Sequence, residues 1–342
     1  MTDIVVADIG GTNARFAIAN LAATRIELGE IRRYGTADHA SLGSAWRRFA
    51  IDVGGELPKS AAIAVAGALG ADTVKLANSP WVIQPWGLRR ELGVDRMTLV
   101  NDFGAMAHAV ATLEDDKFDW IAGPRSGRPS DGLITVIGLG TGLGIAMVLR
   151  RGGQNHIIET EGGHVDYAPL DALETKMSER LRSRHLRVSA ERIVSGPGLA
   201  NIYEALAAIE GAPARIRDDP GLWADAIAGS DRLASTALDR LCMSFGSVAG
   251  DIALAQGARA VVITGSLSQR IAERLRSGGF IERFVSKGRY RGRMETMPVL
   301  LCRDEEPGLY GAAAAFRHDH LSKCSGLDPS ASEPEGAAAM GL

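Results

Sequence analysis

Cysteine is scarce and scattered: Cys242, Cys302 and Cys324 are the only three in 342 residues, and no CxxC pair occurs. This excludes a readable disulfide framework or cysteine zinc cluster and fits a reduced, cytoplasmic setting. An excess of one charge is also missing. The 38 basic and 41 acidic side chains leave a formal charge of −3, which offers no footprint for nucleic acid and no electrostatic hold on a membrane. No apolar run approaches the roughly 18 residues of a membrane span. The opening MTDIVVADIGG lacks the basic start and small-residue cleavage site of a signal peptide. GxxxxGK[ST] is absent, which excludes a P-loop, and GLGTGLG fails GxGxxG in every register with no acidic ribose partner in evidence.

What is present is an ordinary globular composition, 46% hydrophobic and 23% charged, long enough for two domains with their own cores. IVVADIG, ARFAIANL and IELGEIRRYG read as consecutive strands, and SLGSAWRRFAIDVG as an amphipathic helix opened by Ser41. AAIAVAG, TVKLAN and MTLVNDFG read as further strands, PWGLRREL as a short helix, and a helix follows from about Gly104. This pattern predicts an open α/β sheet, which binds ligands beyond the carboxyl ends of its strands. From Gly132, GLITVIGLGTGLGIAMVL repeats the opening arrangement of strand, glycine–threonine turn and strand, as an internal duplication would. Residues 172–258 are mostly helical in period, AVVITGSL is a buried strand before the helix SQRIAERLRSGG, and MPVLLCRD is the final strand. The helix after it packs back on the first unit. Residues 1–112 are expected to form a small α/β domain joined by the C-terminal helix 304–321, and 113–303 a large one. Serine, glycine, proline and alanine then predict a disordered tail over 322–342.

Chemistry concentrates in a few segments. Asp8–Arg15, DIGGTNAR, sets a carboxylate, two glycines, a hydroxyl and an amide at a strand exit. Gly10 and Gly11 let main-chain N–H groups approach an anion, and Asp8 is placed to reach a divalent ion. Read alone the segment has a lesser alternative, a tight turn with an Asx cap; with GLGTGLG it becomes one of two phosphate loops facing each other across a cleft. Asp102, at the end of the strand MTLVN, either caps the next helix or points into the ligand crevice as a base. Glu161 and His164 flank a glycine turn suited to a polyhydroxylated ligand, with no HExxH or Cys/His set to favour a metal. Glu191 reads as a first-turn acid answering its helix dipole. The basic stretches 180–187 and 287–293 read as solvated faces, and His108, His185, His318 and His320 receive no role.

Taken in order, DIGGTNAR, VNDF, GLGTGLG, EGGHVDYAP and SAERIVSGPGL resemble the bacterial glucokinase family of the hexokinase and actin-like ATPase superfamily, from about Asp8 to Phe316. The zinc-binding cysteine cluster and DNA-binding extension of the related repressors are absent. The resemblance implies a two-domain actin-like ATPase (ribonuclease H-like) α/β fold with its ligand cleft between the domains. It implies phosphorylation of glucose at the 6-hydroxyl by ATP with Mg2+, in a cytoplasmic homodimer. Asp102 is similar to the family's general base, with Asn101 beside it on the sugar. Asn78, Glu161, His164 and Glu191 match further sugar contacts, which recasts Glu191 as a ligand. Asp8, Gly10, Gly11, Thr12 and Asn13 resemble the first phosphate loop, with Asp8 toward the metal, and Gly140, Thr141 and Gly142 the second. In the adenosine segment ITGSL, Gly265 is matched but Ser266 replaces a second glycine, which opens the nucleotide preference. Two rivals stand beside this reading, a kinase for another hexose such as mannose and a non-catalytic sugar-binding protein. Retention of Asp102 speaks against the second.

Overall fold

In the computed structural model the described residues are 2–22, 25–67, 69, 72–76, 79–213 and 219–321. Asn78, Cys324 and the expected tail over 322–342 lie outside them. Strands β1 (Thr2–Ile9), β2 (Asn13–Leu21), β3 (Ile26–Leu28), β4 (Arg32–Gly35) and β5 (Ser60–Val65) come first. A two-stranded ribbon of β6 (Val74–Lys75) and β7 (Val82–Ile83) follows, then β8 (Arg96–Asn101). The second half carries β9 (Phe118–Ala122), β10 (Gly132–Leu139), β11 (Leu143–Arg151), β12 (Gln154–Thr160), β13 (Ala260–Thr264) and β14 (Val299–Cys302). The first sheet runs β3-β2-β1-β5-β8, with β4 also on β2, and the second runs β12-β11-β10-β13-β14-β9. Each has three antiparallel strands continued by two parallel ones, so the repeated turn motif belongs to a repeated sheet. Only the second adds an antiparallel edge strand, β9.

Strand periodicity assigns the cores. Val5, Ala7 and Ile9 of β1 face a cluster with Trp46, Phe49 and Leu88, while Ile4 and Val6 face the opposite way, onto Leu309, Ala312, Ala313 and Phe316. The apolar run that reads as one block is thus a central strand covered on both faces. Leu309 to Phe316 lie in the helix Pro307–His320, which leaves β14 of the second sheet and covers the first. The helix Asp102–Thr112 does the reverse. It leaves β8 of the first sheet, and its Ala107, Ala109 and Val110 pack on Ile134, Val136, Ala146 and Val148 of the second. The two helices cross closely: a Cβ at Gly311 would lie 1.8 Å from the Ala105 carbonyl oxygen.

Some elements differ from the sequence pattern. IELGEIRRYG is two short strands, both on β2, because Gly29 donates its N–H to the Ile18 carbonyl and turns the chain. SQRIAERLRSGG breaks at Ile271, and β9 has no counterpart among the expected strands. Ser41 does open its helix, through a reciprocal capping box with Ser44.

Candidate active site

The two glycine turns are built alike. β1 and β2 pair through Ile9–Ala14, leaving the four residues Gly10, Gly11, Thr12 and Asn13 between them, and β10 and β11 pair through Leu139–Leu143, leaving the three residues Gly140, Thr141 and Gly142. In each turn carbonyls are claimed by the scaffold. Buried Thr36 donates its hydroxyl to the Gly11 oxygen (2.7 Å) and its N–H to the Thr12 oxygen (3.0 Å). Gly196 donates to the Gly140 oxygen at 2.7 Å. The N–H groups of Gly11, Thr12, Thr141 and Gly142 have no partner among the described residues, which suits both turns to an anion. Gly265 holds φ +93°, where a Cβ would lie 2.5 Å from the Leu139 oxygen, so this position admits only glycine. Ser266 follows it as the first residue of a short helix.

Asp8 is the next-to-last residue of β1, with its side chain 14% exposed and its Oδ2 2.9 Å from the Arg15 guanidinium. Burial raises its pKa, Arg15 opposes that rise, and Glu306 adds to it. Glu306 is itself buried and ion-paired with Arg15 (3.5 Å) and with Arg33. Gly308 lets the first turn of the helix Pro307–His320 lie against Asp8, since a Cβ there would sit 2.8 Å from Oδ2. Among the described residues no cluster of three or more His, Cys, Asp or Glu forms a metal cage. A single carboxylate beside unpartnered N–H groups would fit Mg2+ that arrives with a nucleotide, held by phosphates and water as much as by protein.

Asn101, not Asp102, caps the helix Asp102–Thr112: its Oδ1 accepts from the N–H groups of Phe103 (2.8 Å) and Gly104 (3.3 Å). Asp102 Oδ1 takes only a share of the Phe103 N–H, at 3.0 Å. The Asp102 pKa is pushed up from 3.8 to about 7, first by burial and then by the negative charge of Asp8, with Glu161 adding to both. A carboxyl with that pKa is a base matched to neutral pH. Asn101 also donates its amide to the Gly67 oxygen at 2.9 Å.

Glu161, His164 and Glu191 come together. His164 Nε2 lies 3.8 Å from Glu161 and Nδ1 lies 4.0 Å from Glu191. Glu191 Oε2 accepts the N–H of Leu143 at 3.0 Å, fastening this group to the second glycine turn, and Gly142 leaves room for it. Glu161 and His164 are 67% and 56% exposed, so they line an open face. Glu191 sits in the first turn of its short helix and also joins the acid–imidazole group, so both readings of it hold.

A family model described as Glucokinase matches residues 5–319. A glucokinase of Zymomonas mobilis is 54% identical over 319 residues, spanning 93% of this chain and 98% of its own. The chain belongs to the glucokinase family. It is an enzyme of that family, a glucose kinase on the actin-like ATPase fold. The solved glucokinase of an Antarctic psychrotroph superposes with a TM-score of 0.80 at 33% identity, over 93% of this chain and 99% of that one. A ROK family glucokinase of Streptomyces griseus, solved in complex with glucose and AMPPNP, shares the fold at 18% identity and a TM-score of 0.63, over 92% and 99% of the two chains. Among the described residues no helix is long and apolar enough to cross a membrane.

Several residues that shape the site carry no signal in the sequence. Arg15 lies inside DIGGTNAR, but nothing local pairs it with Glu306, nearly three hundred residues on. Glu159 falls in no motif, and Thr36 is an isolated threonine. Arg187 belongs to a stretch read as a solvated face, yet its guanidinium donates to the His164 carbonyl and pairs with Asp166.

Proposed function

We propose that this enzyme transfers the γ-phosphoryl group of ATP to the 6-hydroxyl of glucose, with Asp102 accepting the hydroxyl proton. The observation that carries the reading is the partly buried Asp102 carboxylate, its pKa raised to about 7 within the field of both Asp8 and Glu161. It stands between a phosphate side and a polyol side. On the phosphate side, the free N–H groups of the two turns and Gly265 hold the nucleotide, and Asp8 reaches Mg2+ that enters bound to it. The metal supplies charge neutralisation on the transferring phosphate. On the sugar side, Asn101, Glu161, His164 and Glu191 accept and donate hydrogen bonds to the hydroxyls, and Asn78 is proposed to join them. AMPPNP and glucose in the Streptomyces griseus relative support ATP as donor. The family likeness supports a cytoplasmic homodimer.

Because the two sheets each carry half of the phosphate contacts, they are proposed to act as two bodies that close on their ligands. The protein's work is then positioning and exclusion of water. An ADP-release assay across glucose, mannose, fructose and N-acetylglucosamine tests the reading, with glucose expected to give the highest kcat/KM. Asp102→Asn is expected to lower turnover by roughly 10²–10⁴, the range for loss of a general base, while glucose binding survives. Near-normal turnover in that variant removes Asp102 from its role.

A further inference from the structure

The segment that carries Asp102 is gripped by the sheet it does not belong to. Asn101 ends β8 of the first sheet, yet its backbone N–H donates to Glu159 Oε1 of β12 at 3.2 Å. Gly104, one turn on, is bare where Glu159 passes: a Cβ there would lie 2.0 Å from the same oxygen. Between them, the Phe103 ring enters a socket made by two glycines of the second sheet. Gly138 and Gly144 are cross-strand partners in β10 and β11. A Cβ on Gly144 would fall 1.8 Å from the ring's Cε2, and one on Gly138 would fall 2.7 Å from Cζ and 2.5 Å from the Thr264 hydroxyl, which shares that position with the ring. Neither glycine needs left-handed backbone, so conformational freedom does not explain them. Space for the ring does.

The register of these contacts links them to the site. Gly138 is two residues before Gly140 along β10, and Glu159 is two residues before Glu161 at the end of β12. We propose that Phe103, its Gly138–Gly144 socket and Glu159 are positioning elements that hold the base of the first sheet at a set distance from the second phosphate turn and the sugar-holding carboxylate of the second sheet. This rests on the reading of Asp102 as general base. The socket keeps that alignment while the rest of the two sheets move relative to each other. Phe103 and Glu159 touch no substrate; they act through Asp102.

Point variants at these positions test this. Glu159→Ala removes an acceptor from a half-exposed side chain and is expected to fold. It should lower kcat at least tenfold with the glucose KM changed less than threefold, and should shift the acidic limb of the kcat/KM pH profile. Glu159→Gln retains an acceptor oxygen and should restore most of the loss. Gly144→Ala should lower kcat by blocking the ring, and Phe103→Leu in the same chain should recover activity relative to Gly144→Ala alone. The result that overturns the proposal is Glu159→Ala and Phe103→Leu with kcat and pH limb unchanged while Asp102→Asn is inactive. Turnover retained in Asp102→Asn overturns instead the base assignment on which the proposal stands.

Discussion

Asp102 meets two opposed demands at the residue scale. As the proposed general base it has to be ionised, whereas burial and the neighbouring Asp8 and Glu161 favour the protonated form. The folded chain therefore holds this proton to about pH 7, against an ordinary value of 3.8. Its folded pKa is raised, so the stability associated with the proton is present below pH 3.8 and is lost as pH rises through 7. Asparagine has no charge to bury. Asp102→Asn is thus expected to be more stable than the parent, with an advantage that grows by roughly 2–3 kcal/mol between pH 5 and pH 8, because each tenfold difference in proton affinity is worth ~1.4 kcal/mol. Urea denaturation at the two pH values measures it. An advantage independent of pH means that the carboxylate is not buried against its neighbours' charge. For the parent enzyme the same pKa makes kcat/KM rise with pH through about 7, as the base becomes available.

At the scale of elements, the molecule is joined by an exchange of helices. The helix Asp102–Thr112 leaves the first sheet to cover the second, and Pro307–His320 leaves the second to cover the first. Their crossing depends on Gly311, which lies against the Ala105 carbonyl with no room for a methyl group. Gly311→Ala has to push the helices apart, and overpacking of this kind costs about 1–3 kcal/mol. The expected result is a lower urea midpoint together with reduced kcat, because both Asp102 and the Gly308 contact to Asp8 sit at the starts of these helices. A variant with parent stability and parent kcat shows that the crossing has slack. Sequence periodicity made most of the strands, though not β9, and Ser41 and the final helix legible, because each rests on local apolar spacing or a local cap. The return of the final helix to the first unit was expected, but the crossing of the helix Asp102–Thr112 to the second sheet was not legible, since Ala107 and Ala109 are apolar whichever sheet they cover. Nor was the cap of that helix: Asn101 and Asp102 are both good N-cap residues, and only the hydrogen bonds from Phe103 and Gly104 decide between them. The site motifs were readable where several chemical types fall within a few residues, as in DIGGTNAR and EGGH. Arg15–Glu306 and Asn101–Glu159 were not, because each pair forms only when distant strands are brought together. Lys287 illustrates the same limit: placed in a solvated stretch by its neighbours, it is buried against the Ser247 carbonyl and Asp251.

For the whole molecule, the distribution of the site over two sheets determines what glucose must do. Glu161, His164 and Glu191 lie on the second sheet's side, while Asp8 and the first turn belong to the first. With Glu161 and His164 more than half exposed, a bound sugar would leave much of this polar surface in water, where hydrogen bonds contribute little. In the proposed closure, bringing the outer part of the first sheet down over the sugar removes that water, while the Phe103 socket already holds Asp102 at its place by the second sheet, at the cost of ordering the cleft. The joints available for the motion are the two crossing helices and the Phe103 socket, which keep their contacts while the outer edges swing. Saturating glucose is therefore expected to reduce the radius of gyration in small-angle scattering and to quench or shift tryptophan emission, with Trp81 buried in the first unit and Trp223 in the second as internal reporters. The Asp102→Asn variant should close in the same way, since closure is driven by the sugar contacts and not by proton transfer. A scattering profile that glucose leaves unchanged, at concentrations that saturate turnover, would mean that the two halves are already set at their working distance and that exclusion of water falls to the loops alone.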